Sequence, residues 1–160
     1  MKIKSRHHLK GSDARKIIAQ IEPFLEDSSG LRKSSLEMAI SDEGVDLIFV
    51  NGRPLLMMVD GKPFFTVLGA IELVPTKRLV VVDAGAVRFV VNGADIMKPG
   101  IVSADPDIAV GDLVVVMEER HKKPLAVGTA MVAGTEMKGE GKAVKSLHHV
   151  GDSVWKGLEE

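Results

Sequence analysis

The sequence predicts an α+β protein: a small N-terminal α+β domain built on an antiparallel meander, followed by a pseudo-barrel of mainly β structure. Three observations predict it. Ile17, Ile18, Ile21, Phe24 and Leu25 fall at i, i+1, i+4, i+7 and i+8, the apolar stripe of one amphipathic helix. Asn51-Gly52 and Asp60-Gly61 stand between apolar runs as two-residue hairpin turns. After Thr76, five or six short apolar runs are separated by glycine-marked turns, as in a small barrel whose closure removes exposed sheet edges.

Each element has its own signal. Ser12 can cap the helix, Pro23 sits late in it, and Asp27-Ser28-Ser29-Gly30 is expected to end it. Leu36 to Ile40 opens the strands, and Val45 to Val50, Leu55 to Val59 and Phe64 to Leu68 make the meander. Leu73-Val74-Pro75-Thr76 is the expected boundary, because proline excludes its predecessor from helix, giving domains at 1–75 and 76–156. Beyond it, Val80 to Val82 forms a strand and Asp83 caps a short helix whose first turn, at Gly85 and Ala86, is nearly bare of side chains. Val87, Val90 and Val91 share one face of that helix, with Arg88 on another, and Asn92-Gly93 ends it. Gly111-Asp112 leads into Leu113 to Met117. A charged turn at Glu118 to Lys123, the run Leu125 to Val132, the loop at 139–142 and a last strand, Ala143 to Val150, complete the chain.

Composition narrows the function classes. At 160 residues, with 45% hydrophobic and 27% charged residues, the chain has the make-up of a soluble globular protein. Without cysteine it has no disulfides, thiol catalysis or cysteine-ligated metal, and a cytoplasmic location is expected. No apolar run reaches the length of a membrane span. The net charge of -1 means that any nucleic-acid site must rest on a local patch.

The best candidate for such a patch is the segment from Val80 to Val102. Backbone N–H groups at a bare helix start and an exposed arginine both suit phosphate. Competing sites have plainer readings. Adjacent histidines on a strand point to opposite faces, so neither His7-His8 nor His148-His149 can readily chelate one ion, and no metal is expected. His148 is expected to hydrogen-bond inside the barrel and His149 to face outward. The carboxylates of Asp105, Asp107 and Asp112 stand where turns need them. The loop at 139–142 lacks the frame of a phosphate-binding P-loop, and Met57-Met58 reads as core filler. Trp155 reads as packing for the C-terminal end. No glycine-rich cofactor fingerprint, nucleophile-base pair or metal cluster points to an enzyme, and no cofactor is expected.

Four ordered blocks carry a family resemblance: DAGAVRFVVNGADIMKPGI, GDLVVV, PLAVGTAMV and GKAVKSLHHVGDSVW. From Lys77 to Trp155 the chain resembles the PUA domain, named after pseudouridine synthases and archaeosine transglycosylases. With the preceding basic strand, helix and meander ending in DGKPFF, it is similar to the family of the malignant-T-cell-amplified-sequence oncoprotein and its archaeal relatives. Phe65-Thr66-Val67 and His149 depart from that family's common Pro-Thr-Leu and tyrosine. The resemblance implies RNA binding without catalysis, on tRNA or ribosomal RNA in translation initiation or ribosome recycling. The alternative is an RNA-targeting accessory subunit of a tRNA- or rRNA-modifying enzyme in the pseudouridine or archaeosine pathway. Carried onto this sequence, the RNA-facing surface comprises Gly85, Ala86, Arg88, Met97, Lys98, Pro99 and Gly100, with Lys77, Arg78, Lys142 and Lys145 extending it. The partners implied are structured RNA, and the small ribosomal subunit or a translation-factor-like protein through the N-terminal domain.

Overall fold

In the computed structural model, which describes Met1–Leu158, β1 (Ile3–His8) leads into helix α1 (Gly11–Ile21). Ile17, Ile18 and Ile21 are buried, as the stripe requires. The helix starts earlier than Ser12: the Lys10 carbonyl accepts the Ala14 N–H at 2.9 Å, so Ser12 lies inside the first turn and no side chain caps it. Pro23 falls just past α1, within a 3-10 turn at Glu22–Phe24, because proline supplies no N–H to continue an α-helix. The Asp27 to Gly30 stretch does not simply end the element. Asp27 accepts the Ser29 N–H at 3.0 Å, and Ser29–Arg32 forms a one-turn helix, α2, tied back by the Arg32 side chain to Glu22.

The meander follows as β2 (Leu36–Ser41), β3 (Asp46–Val50), β4 (Arg53–Val59) and β5 (Lys62–Phe65), all antiparallel in the order β1-β2-β3-β4-β5. Both hairpin turns have the expected handedness, with φ of 51° and 82° at Asn51-Gly52 and 49° and 79° at Asp60-Gly61. The last strand stops short. The expected strand at Phe64 to Leu68 ends at Phe65, and Val67–Leu73 is helix α3 instead. Buried Thr66 decides this, accepting the Gly69 N–H at 2.9 Å as a helix cap while donating its hydroxyl to the Pro54 carbonyl. Gly69 then lets α3 lie directly on β4, where a Cβ would stand 1.7 Å from the Leu55 carbonyl oxygen.

The second sheet contains β6 (Leu79–Val82), β7 (Ile96–Met97), β8 (Ile101–Ala104), β9 (Leu113–Glu118), β10 (Pro124–Ala130) and β11 (Lys142–His149). A 3-10 turn at Ala84–Ala86 and helix α4 (Val87–Val90) follow β6, and α5 (Ser153–Leu158) follows β11. The order β7-β11-β10-β9-β6-β8 curls into a nearly closed pseudo-barrel, antiparallel except for the β6–β9 pair. Val80, Val82, Val114, Val116, Ala126 and Val144 fill its interior. Val115 and Val127 face the other way and join the core of Ile21, Leu56, Phe64, Phe65 and Val67. Burial on both faces explains the unbroken apolar run in β9, since a strand open to water on one side would alternate.

His148 fastens the two sheets. Its ring is fully buried, and its Nε2 accepts the Val67 N–H at 3.2 Å from the first turn of α3. That bond puts the ring hydrogen on Nδ1, which donates to Asp152 at 3.0 Å. Asp152 also accepts the Trp155 N–H at 2.7 Å and the His149 N–H at 2.9 Å. Burial alone pushes its carboxyl up, but the His148 and backbone hydrogen bonds outweigh it and hold the carboxyl at about 2. The expected bond inside the barrel is thus a bond across the junction. His149 is half-buried, its Nδ1 on the Val150 carbonyl at 2.9 Å.

Replacing His148 with alanine leaves the buried Val67 N–H without an acceptor and takes one hydrogen bond from the half-buried Asp152 carboxylate. Urea unfolding of His148→Ala should show a loss of about 3 kcal/mol, and His149→Ala a much smaller one. The depressed Asp152 group contributes stability that is fully present above its unfolded value near 3.8 and is lost as pH falls through about 2. Asp152→Asn should flatten the acid side of the stability profile over that window, as read by circular dichroism.

Candidate nucleic-acid interface

At one end of β6 the chain turns sharply. Asp83 accepts the Ala86 N–H at 2.9 Å and starts the 3-10 turn, while its own N–H bonds the Gly100 carbonyl at 2.9 Å. The turn therefore lies against the Lys98–Gly100 segment. Between them opens a groove of about 500 Å³, lined by Gly85, Ala86, Phe89, Val90, Ala94, Ile96, Met97, Pro99 and Gly100, with Asp83 and Asp95 at its edge. Phe89 and Met97 are 54% and 46% exposed, unusual for side chains of that size.

The groove's floor is bare: Gly100 packs on Ala86, where a Cβ would stand 3.0 Å from the Ala86 Cβ, but at Gly85 internal packing does not demand it. A Cβ on Gly85 would approach only the Asp83 carboxylate, at 3.4 Å, so the space above it is open. Gly69, by contrast, is glycine because the backbone of β4 occupies its Cβ position.

Cations surround the groove. Arg88 lies on the solvent side of α4 with its guanidinium 4.7 Å from the Phe89 ring centre. The Lys98 N–H bonds the Gly141 carbonyl at 2.8 Å, which fixes the segment against the start of β11. Lys142 pairs with Asp95 at 3.3 Å, and Asp95 also accepts the Ser146 N–H at 2.9 Å. That backbone bond, with Lys142 and the nearby Lys145, holds the Asp95 carboxyl below the usual range against the opposing effect of burial. Both carboxylates at the groove thus have internal partners. Arg88, Lys98 and Lys145 make no ion pair among the described residues.

The structure brings together Gly85, Ala86, Met97, Pro99 and Gly100 in the groove, with Arg88, Lys98, Lys142 and Lys145 around it. Lys77 and Arg78 stand at the other end of β6. Arg78 is engaged there, over the Phe24 ring at 4.9 Å and 3.5 Å from Asp112. Sequence reasoning passed over Phe89, Ala94 and Asp95. Phe89 was legible, since it shares with Arg88 the helix face away from the valines. Asp95 was not, because its partners lie some fifty residues away in β11. Among the described residues, no group of three or more His, Cys, Asp or Glu side chains could hold a metal ion. Among the described residues, no helix is long and apolar enough to cross a membrane.

The PUA domain matches residues 78–151. Translation machinery-associated protein 20 of Saccharomyces cerevisiae is 30% identical over 96% of this chain and 92% of its own length. The chain belongs to the PUA-domain family of translation machinery-associated protein 20 and the malignant T-cell-amplified sequence proteins. An uncharacterized family relative in Methanocaldococcus jannaschii is 43% identical over 97% of this chain and 98% of its own. A hypothetical protein from Pyrococcus horikoshii has the same fold, with a TM-score of 0.88 at 37% identity over 96% of this chain and 99% of that one. The PUA-domain reading made from four sequence blocks is thereby borne out.

The two glycines make opposite predictions for stability. Gly69→Ala should lower the unfolding free energy by about 3 kcal/mol or more, because backbone must move. Gly85→Ala should change it by under about 1 kcal/mol, and in the stabilising direction if at all, because the site is open and its φ is ordinary. Thermal unfolding of the two variants side by side checks this.

Proposed function

We propose that this PUA-family protein is a non-catalytic RNA-binding factor of translation that holds tRNA or ribosomal RNA in the groove between the Asp83–Phe89 turn and Met97–Gly100. The observation that carries the reading is the bare floor at Gly85, left open where nothing inside the fold requires it. Around it stand exposed Phe89 and Met97, which suit a nucleobase, and Arg88, Lys98 and Lys145, which suit the phosphates on either side. The internal pairing of Asp83 and Asp95 supports this, since neither carboxylate needs an outside cation. The names of the family's yeast members support a role with the translation machinery. In this reading residues 76–156 hold the RNA, in initiation or ribosome recycling, and residues 1–75 meet the small ribosomal subunit or a translation-factor-like protein in the cytoplasm.

RNA binding measured across a salt series separates the parts. Arg88→Glu and Lys98→Glu should each weaken binding of structured RNA about tenfold near physiological salt. Each should also lower the salt slope by about 0.7–0.9 for every phosphate that the variant no longer neutralises. Phe89→Ala should weaken binding about tenfold with the salt slope unchanged, since stacking releases no counterions. Wild-type affinity in all three would refute the site. Sequencing of RNA crosslinked in cells, together with pulldown, tests the role. Recovery of a modification enzyme without ribosomal proteins would favour an accessory subunit in RNA modification.

A further inference from the structure

A second groove, also about 500 Å³, lies where the end of α3, the β9–β10 turn and α5 meet, and the RNA reading leaves it unused. Its walls are largely apolar. Ile71 and Val74 are 45% and 63% exposed, and Leu125, Val150 and Trp155 line the groove with them. Val74 is the unusual member. It closes α3 in the left-handed conformation, at φ 52° and ψ 67°, a position that glycine or asparagine fills readily and a β-branched residue fills only under strain. Burial does not offset that strain, because the side chain stands largely in water. Strain held at an exposed apolar residue is the mark of a position kept for contact.

Charge indicates what the contact is. Lys122 and Lys123 border the groove and make no ion pair among the described residues. Of the carboxylates close by in the chain, Glu119 makes no ion pair with either lysine, and two others are occupied. Glu118 accepts the N–H groups of Arg120 and His121 in its own turn, and Glu72 is bound to Arg53. The groove therefore presents an apolar centre beside two lysines, with no carboxylate in its lining. No hydroxyl, carboxamide or guanidinium side chain lines it, so it offers little to the polar edges of nucleobases. An apolar patch with a charged rim is instead the anatomy of a protein interface.

We propose that this groove docks an acidic amphipathic segment of a partner protein, whose apolar side chains lie on Ile71, Val74 and Trp155 and whose carboxylates meet Lys122 and Lys123. Trp155 is the chain's only tryptophan, so its emission reports occupancy of the groove in the unlabelled protein. The probes are two synthetic helical peptides with the same leucine stripe, one flanked by glutamates and the other by lysines. The glutamate-flanked peptide should shift Trp155 emission saturably and bind at least about tenfold more tightly than the other. A Lys122→Glu/Lys123→Glu double variant should invert that preference. Val74→Gly should weaken binding about tenfold while keeping or raising the thermal midpoint, because glycine relieves the backbone and removes the apolar side chain. Four outcomes would overturn the proposal: no saturable shift, equal binding of the two peptides, unchanged affinity in Val74→Gly, or an oligouridine RNA that shifts Trp155 emission and loses its effect on charge reversal.

Discussion

The hydrogen bond from the Val67 amide to the His148 ring governs how the rest of the molecule is assembled. It spans 81 residues of chain and lies where no water competes for either partner. An imidazole can accept there only if its other nitrogen keeps the hydrogen, and Asp152 ensures that by accepting it. Asp152 in turn accepts the Trp155 amide in the first turn of the closing helix and the His149 amide at the end of β11, so one carboxylate sets the ring's tautomer and starts α5. Three separate elements, α3, β11 and α5, are thereby fixed to one another by neutral and charged hydrogen bonds rather than by shape alone. Val115 and Val127, one from each of the two barrel strands that face the meander's core, supply the apolar surface that keeps this junction dry.

Signals fixed by one or two residues were legible in the sequence, and those settled by competition or by distant partners were not. Asn51-Gly52 and Asp60-Gly61 specify their turns because their required backbone conformation is a property of two residues. The valines of β6 and α4 and the cap at Asp83 are similarly local. The extended reading of Phe64 to Leu68 failed because Thr66 takes its conformation from the Pro54 carbonyl and the Gly69 amide, the first of which lies across the sheet. Ser12 failed as a cap because the helix begins earlier, on the Lys10 carbonyl, a contest between neighbours that residue type does not settle. His148 was expected to be buried and bonded, which it is, but its partner belongs to the other half of the fold.

The groove shows the same division. Its glycines, its proline turn and Arg88 are consecutive enough to be seen in the chain. What the sequence hid was the wall: Ile96 and Met97 form a two-residue strand at the sheet edge, paired with β11. That pairing brings Lys142 to Asp95 and places a lysine beside the groove without leaving an unpaired carboxylate in it. A chain with net charge -1 can in this way present a locally cationic rim, because its acidic groups there are spent on backbone amides and internal pairs.

The two-faced strands β9 and β10 have a consequence for how such barrels are shared among proteins. With Val115 and Val127 on its outer wall, this barrel carries a dry patch as part of its own sheet. It also carries a histidine whose outward nitrogen needs a donor. A barrel of this kind transplanted beside a different neighbour must find there both a greasy cover and one well-aimed peptide N–H. Modularity is then a matter of matched sockets: the neighbour's chain can be unrelated in sequence, provided that it supplies an apolar face and a helix start at the right height.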